Sequence, residues 1–446
     1  MKDRHPDGEE LERFLGGELT ADASRALQRH VLLCPACEDR LVALLPASTP
    51  SPSSDTQAED RSLVRRLLDD YRAEISRRRR ALLEQRSAAA ALWREIESAD
   101  PAQRRILVTG EARFQSWGFF ELVLERAFRS VHDEPRRAEE LLRLALDLAD
   151  RLDPAEHGPG AVEAAKARAW IHLGNTLRVR DEFRLAEAAF DTAELYLSRS
   201  WLDPLDEALL LEFKTPLRRA QRRFDEALEL IEGAIAIYRE IREPHLLGRA
   251  VMIKGVTLQY KGEIEEAAEC FRTSLSLLEE PRPLALCHLN LAGCLQDAGH
   301  SAEAAALLPQ ARRLLEPVGT RTDLLRLRWT EAKVAASLGR TAEAEAAFLE
   351  ARRAFLDGSY VFDAALISLD LAALYLRQGR VKETKSVAAE ILPVFRSREV
   401  HRDALAAMIV FQRAADLEHL SLGLVEDIAA RLRRAQNEPE PRSRAT

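Results

Sequence analysis

From residue 111 onwards, apolar and polar positions alternate with a helical period, and the helical segments come in pairs. Small residues set the register. Ala138, Ala186, Ala227, Ala267, Ala304, Ala344 and Thr384 stand 48, 41, 40, 37, 40 and 40 residues apart, each opening the second helix of a pair. Four residues further on come Leu142, Phe190, Ile231, Phe271, Leu308, Phe348 and Ala388. Seven further on come Ala145, Ala193, Ala234, Ser274, Ala311, Ala351 and Ile391. Twelve residues upstream, the first helices carry Gly174, Gly255, Ala292, Ala332 and Ala372. Turns such as Lys261-Gly262-Glu263 and Leu338-Gly339-Arg340 separate the paired helices.

Packing explains these residue types. Gly or Ala at a helix crossing lets two backbones approach, while Leu, Phe and Trp fill the space between neighbouring pairs. One pair cannot bury its apolar face alone, so stacked copies are needed to build a continuous core. The pattern predicts an all-α chain. In the third pair, Thr215-Pro216 is expected to bend or end the first helix. Phe114, Trp117, Phe119 and Phe120 are expected to close the N-terminal end of the core. Residues 401–435 should supply the last helices, and 437–446 a disordered tail.

Trp170, Leu173, Gly174, Leu177, Ala186, Phe190 and Ala193 fall at the offsets of a tetratricopeptide repeat, and the chain resembles that family in a longer form, near 40 residues per unit. The resemblance implies a right-handed α-solenoid of about seven helix pairs over residues 111–436, with the first helices on the concave side. Mapping its groove-facing offsets gives Arg168, Asn175, Arg178, Arg219, Arg249, Gln259, Tyr260, Gln296, Arg326, Trp329, Lys333 and Arg377. That set is polar and cationic in a chain whose net charge is −8. Arginine suits two-pronged contacts with carboxylates, and tyrosine or tryptophan supplies anchors, so an acidic peptide or protein segment is the expected groove ligand.

The first 45 residues are organised differently. Two short helices are expected, at Gly8–Gly16 and Ala21–Leu33, with Thr20 capping the second. The second ends in His30-Val31-Leu32-Leu33-Cys34-Pro35-Ala36-Cys37. His30 and Cys34 are four apart and share a helix face. Pro35 ends the regular helix, so the two thiolates of Cys34 and Cys37 can fold around one ion. Three such ligands suit Zn²⁺, and His5, ahead of the first helix, is the candidate fourth. The competing reading is a helix end with two buried thiols and a surface histidine. A segment this short needs a staple, so zinc would supply most of its folding energy. His5-Pro6-Asp7, Glu10-Leu11, Phe14-Leu15-Gly16-Gly17-Glu18-Leu19, His30, Cys34-Pro35-Ala36-Cys37 and Leu41 resemble the zinc-binding anti-sigma domain of bacterial regulators. The resemblance implies a small helical bundle, ligands His5, His30, Cys34 and Cys37, and a sigma factor as partner.

Between the two regions, residues 46–60 are rich in Pro and Ser and read as a flexible linker. Residues 61–110 read as a helical, Arg-rich connecting segment with an apolar stripe from Leu63 to Ile75. Its run Arg77-Arg78-Arg79-Arg80 spreads around a helix and is interleaved with acids, which favours a solvated face over nucleic-acid binding. The acidic balance of the whole chain points the same way. Five cysteines do not form a secreted disulfide framework, the N-terminus lacks the apolar core of a signal peptide, and no apolar run reaches a membrane span. A cytoplasmic setting is expected. No Gly-rich phosphate loop, HExxH or Gly-x-Ser-x-Gly motif occurs, and Cys287 and Cys294 read as core thiols. The sequence therefore describes a non-enzymatic regulatory adaptor, with a zinc-stabilised head and a peptide-binding array. The alternative is a general scaffold in which the zinc module is purely structural.

Overall fold

The computed structural model describes residues 5–15, 19, 23–24, 27, 30, 37, 40, 44, 54–200, 203–358, 360–396, 408–409, 411–415 and 421–436. Among these the secondary structure is helical, without a strand, and the fold is an all-α solenoid of tetratricopeptide-like helix pairs. The chain divides into two compact units, Met1–Ala81 and Leu82–Thr446.

In the first unit, α1 (Gly8–Leu15) starts at a reciprocal cap. The Glu10 N–H donates to Asp7 Oδ1 at 2.9 Å, and the Asp7 N–H donates to Glu10 Oε2 at 3.1 Å. Leu11, Leu27 and Cys37 are buried together, with Phe14, Leu19 and Leu44 against them. Thr20 and Cys34 lie outside the described residues. Helix α2 (Ser54–Ile96) begins earlier than the composition suggested: positions 54–60, expected in the linker, are helical, while 46–53 lie outside the described residues. Pro52 is the last Pro or Gly before Pro101, so nothing breaks the helix after Ser54, and Asp55, Glu59 and Asp60 favour its N-terminal end. Arg77, Arg78, Arg79 and Arg80 are all exposed.

The second unit opens with the end of α2 and with α3 (Pro101–Gly110), whose cap Asp100 accepts from the Gln103 N–H at 2.9 Å. Trp93, Phe114, Phe119 and Phe120 are fully buried and close this end of the core. Seven helix pairs follow: α4 and α5 (Trp117–Ser130, Pro135–Ala149), α6 and α7 (Pro159–Val179, Phe183–Leu197), and α8 and α9 (Pro204–Ala220, Phe224–Glu240). Then come α10 and α11 (Pro244–Lys261, Ile264–Leu275), α12 and α13 (Pro281–Asp297, Ser301–Val318), α14 and α15 (Arg321–Ser337, Thr341–Asp357), and α16 and α17 (Val361–Arg377, Val381–Arg396). Met408, Phe411 and Ala415, with α18 (Leu422–Gln436), cover the far end; 401–407 and 437–446 lie outside the described residues.

The registered small residues sit where the sequence demands them. Ala138, Ala186, Ala227, Ala267, Ala304, Ala344 and Thr384 have no exposed surface. A methyl group on Gly174 would come within 2.8 Å of the Phe190 ring, and one on Gly255 within 2.9 Å of Phe271, so each glycine is required for its pair to close. Between paired helices, from the second pair to the seventh, the chain turns through a left-handed residue. Gly262, Gly299, Gly339 and Gly379 fill it in the fourth to seventh pairs, with φ of +101°, +85°, +75° and +69°. Asp181 (φ +61°) and Arg222 (φ +57°) fill it in the second and third pairs.

Pro216 does not end its helix. α8 runs through it to Ala220, because only one backbone hydrogen bond is lost while packing and ion pairs hold both sides. Phe213 and Leu217 are buried, Lys214 Nζ lies 2.5 Å from Glu194, and Arg218 grips Glu187 with two bonds of 2.5 and 2.6 Å. The core is nonetheless uneven. Large buried clusters lie on either side of the third pair, whose own cluster is small: Ala208, Ile231, Ala234, Ile235, Tyr238, Ala250 and Val251.

Candidate functional site

Consecutive first helices of the array touch one another, whereas consecutive second helices make no comparable contact, so the first helices line the inner, concave wall. The wall is held by polar links between neighbouring first helices, about one repeat apart. Arg168 of α6 binds Asp206 of α8 with two bonds, Nε–Oδ1 at 2.5 Å and Nη2–Oδ2 at 3.0 Å. Arg249 of α10 donates to Glu212 of α8 at 2.5 Å, and the Tyr238 hydroxyl donates to the other Glu212 oxygen at 2.9 Å. Arg282 reaches Asp323 at 2.8 Å, Lys333 reaches Asp297 at 2.8 Å, and Trp329 Nε1 donates to Asp370 at 2.7 Å. Gln296 donates to Ser337 at 2.6 Å. Five of the expected groove contacts, Arg168, Arg249, Gln296, Trp329 and Lys333, are therefore engaged within the protein.

The remainder differ. Asn175 is buried, and its Oδ1 accepts both prongs of Arg178, at 3.1 and 2.9 Å. Arg219 lies 5.2 Å over the ring of Tyr260, which is half exposed, and Arg326 is exposed on α14. Gln259 precedes Tyr260 near the C-terminal end of α10, and Arg377 is exposed at the end of α16. Among the described residues, no carboxylate lies within ion-pair distance of Arg178, Arg219, Arg326 or Arg377.

Burial is the dominant influence on Arg178 and Arg219. It lowers Arg178 to about 10, with the charge of Arg219 adding and Asp181 opposing. It also lowers Arg219, where Tyr260 opposes and Arg326 adds. These side chains keep solvent access, yet surrounding protein desolvates them, as happens on the wall of a lumen. His132, just after α4, is exposed at its surface yet crowded by surrounding protein. Burial pushes it down to about 4, with Arg282, Arg178 and Arg326 adding and Asp323 opposing. Charges carried by the fifth and sixth pairs thus act on a group at the end of the first.

Arg282, His132, Phe128 and Phe213 were not among the expected wall residues. A signal for Arg282 existed in the acid one repeat period away, at Asp323. The two aromatics look like ordinary core positions in the sequence.

In the first unit, His5, His30 and Cys37 converge. His5 Nδ1 lies 3.2 Å and His30 Nε2 3.3 Å from Cys37 Sγ, the ligand atoms fall within 4.8 Å of one another, and the two rings meet edge-on at 5.3 Å. Tetrahedral zinc, with bonds near 2.0 Å to nitrogen and 2.3 Å to sulfur, requires nitrogen–sulfur edges of about 3.6 Å. The cluster is close to that spacing without rearrangement.

No protein-family profile matches the sequence, and no curated protein matches it. Similarity appears at the level of solved structures. A Rap protein complexed with competence and sporulation factor is 15% identical, with a TM-score of 0.54, over 71% of this chain and 87% of that one. A Signal Transduction ATPase with Numerous Domains protein with a tetratricopeptide repeat sensor, from Pyrococcus horikoshii, is 14% identical, with a TM-score of 0.51. That match spans 78% of this chain and 52% of the other. At such identity the likeness concerns the fold: a tetratricopeptide-like helical array. No described helix is long and apolar enough to cross a membrane.

Proposed function

We propose that the protein is a non-enzymatic regulatory adaptor whose lumen takes an acidic peptide or protein segment. The observation that carries this reading is the trio Arg178, Arg219 and Arg326: the first two are partly desolvated, each neighbours another cation of the trio, and none has a carboxylate within ion-pair distance among the described residues. Such a group is stabilised by an incoming anion, and inside a lumen that contact is screened less than on an open surface. The Rap protein of similar fold is complexed with competence and sporulation factor, which is compatible with this use of the array.

The first unit is, in this proposal, a zinc-stabilised module holding Zn²⁺ through His5, His30 and Cys37, with Cys34 completing the site. By its resemblance to anti-sigma domains it clasps a sigma factor, and the protein acts on transcription in the cytoplasm. The convergence of two imidazole nitrogens on one thiol supports the metal site. Zinc would act as a closed structural ion, folding a segment too small to hold itself together.

Two measurements test the proposal on the full chain. Fluorescence anisotropy with labelled oligoglutamate should show salt-sensitive binding that Arg219→Glu weakens at least about tenfold; equal binding of oligolysine would contradict it. Metal analysis of the purified protein should return one zinc per chain, lost in Cys37→Ser; a zinc-free native protein would remove the metal site.

A further inference from the structure

Beside the cations, the same wall carries an apolar floor. Phe128, in the last turn of α4, is 45% exposed. Its ring lies parallel to that of Phe213 on α8, with centroids 6.4 Å apart and planes within 9°. It meets His172 of α6 edge-on at 5.4 Å, and His172 meets Phe213 edge-on at 5.3 Å. Phe213 is buried, His172 Nδ1 is buried without a hydrogen-bond partner, and burial holds the imidazole neutral, down to about 4. Three first helices thus contribute to one uncharged patch with a single aromatic face open to the lumen. Leaving that face in water costs free energy that a covering apolar group would recover.

The patch and the cations keep a common register. His172 and Arg178 are six residues apart on α6, and Phe213 and Arg219 are six apart on α8. At 1.5 Å per residue, both helices set the apolar patch and the cations about 9 Å apart along their axes. Six residues also turn the helix by about 120°, an offset within reach of the long arginine side chains, and an extended chain covers the axial distance in about three residues. At the end of α4, Phe128 precedes by four residues His132, which lies just beyond the helix and shares the field of Arg178 and Arg326.

We infer that the lumen reads a two-part motif in its peptide. An acidic residue sits among Arg178, Arg219 and Arg326, and an aromatic side chain about three residues away covers Phe128 on the Phe213–His172 floor. The inference rests on the acidic-segment reading above and adds the apolar half of the recognition. Aromatic contact of this kind supplies affinity, and the cations supply placement.

The test uses the full chain and three labelled nonapeptides, read by anisotropy. The first has a central pair of glutamates with a phenylalanine three residues to each side; the second has serine for phenylalanine, and the third glutamine for glutamate. The first should bind about tenfold more tightly than the second, as expected for burying one aromatic side chain. Phe128→Ser, a change at an exposed position, should abolish that gain and leave the second peptide's affinity unchanged. Arg219→Glu should weaken both acidic peptides. Equal binding of the first two peptides, or a gain that survives Phe128→Ser, overturns the two-part motif while leaving the acidic reading in place. Glutamine peptide binding as well as its glutamate counterpart, or no binding by any peptide, overturns the acidic reading and the inference with it.

Discussion

Replacing Arg249 should cost far more stability than replacing Arg219, although both are arginines on the concave wall. Glu212 is only 1% exposed and is held by Arg249 and by the Tyr238 hydroxyl. The carboxylate holds Arg249 in its charged form, above the usual arginine range. Arg249→Ala removes the cation and leaves the carboxylate stranded, with one neutral donor. Breaking a buried pair in this way costs about 3–5 kcal/mol. The Arg249 side chain is 25% exposed, which places this case near the lower end, about 3 kcal/mol. Arg219 has no carboxylate to strand, and burial already works against its charge, so Arg219→Ala should change stability by less than about 1 kcal/mol. The assay is urea unfolding followed by circular dichroism, with the transition of the array compared between variants. Glu212→Gln in the Arg249→Ala background should recover part of the loss, since glutamine keeps the Tyr238 bond without a buried charge. Equal destabilisation by Arg249→Ala and Arg219→Ala, or no recovery by the double variant, would refute the division of the wall into paired and unpaired cations.

Stability should also fall with acidity through His172. Burial, with the charges of Arg249 and Arg168 adding, lowers its folded value to about 4 from the 6.5 of a free histidine. The folded state therefore resists protonation: the contribution is complete above pH 6.5 and is lost as pH falls towards 4. Its size is about 3 kcal/mol, and unfolding curves across that range should flatten in His172→Phe. Arg222 occupies the left-handed turn position that glycine fills in later pairs, so Arg222→Gly should raise the unfolding free energy by about 0.5–1 kcal/mol after the glycine's own entropy cost, read as a higher urea midpoint. Burial pushes the Cys287 and Cys294 thiols up to about 12. Iodoacetamide at pH 8 should therefore leave both unmodified in the native protein, and mass spectrometry should find them labelled only after denaturation.

What the sequence made legible was the repeat, because helix crossings constrain residue size at fixed offsets. Phe190 can pack on Gly174 only because the glycine has no side chain to collide with it, and that exclusion leaves a mark twelve residues from Ala186. Charge leaves a weaker mark. A lone arginine on a helix reads the same whether water or a carboxylate faces it, so Arg168 and Arg249 were indistinguishable from Arg178 and Arg219. What separates them is an acid about one period away on the adjacent first helix: Asp206 lies 38 residues from Arg168, and Glu212 lies 37 from Arg249. Pro216 misled for a related reason. The rule against proline inside a helix weighs one lost backbone bond and omits the tertiary contacts of Lys214 and Arg218. The lumen's apolar floor was hidden because Phe128, His172 and Phe213 come from three different pairs, and nothing local in the sequence brings them together.

The third pair has a mechanical consequence. A wound array is a spring, and its compliance is set by its softest coil. The small cluster around Ile231 and Ile235 sits between two larger ones, in the pair that also carries Pro216 and the left-handed Arg222 and Arg242. Under tension applied at its ends, the second unit should yield there first, as two stiff segments parting at a joint, and any load that stretches the array would open the lumen where Arg219 and Tyr260 face it.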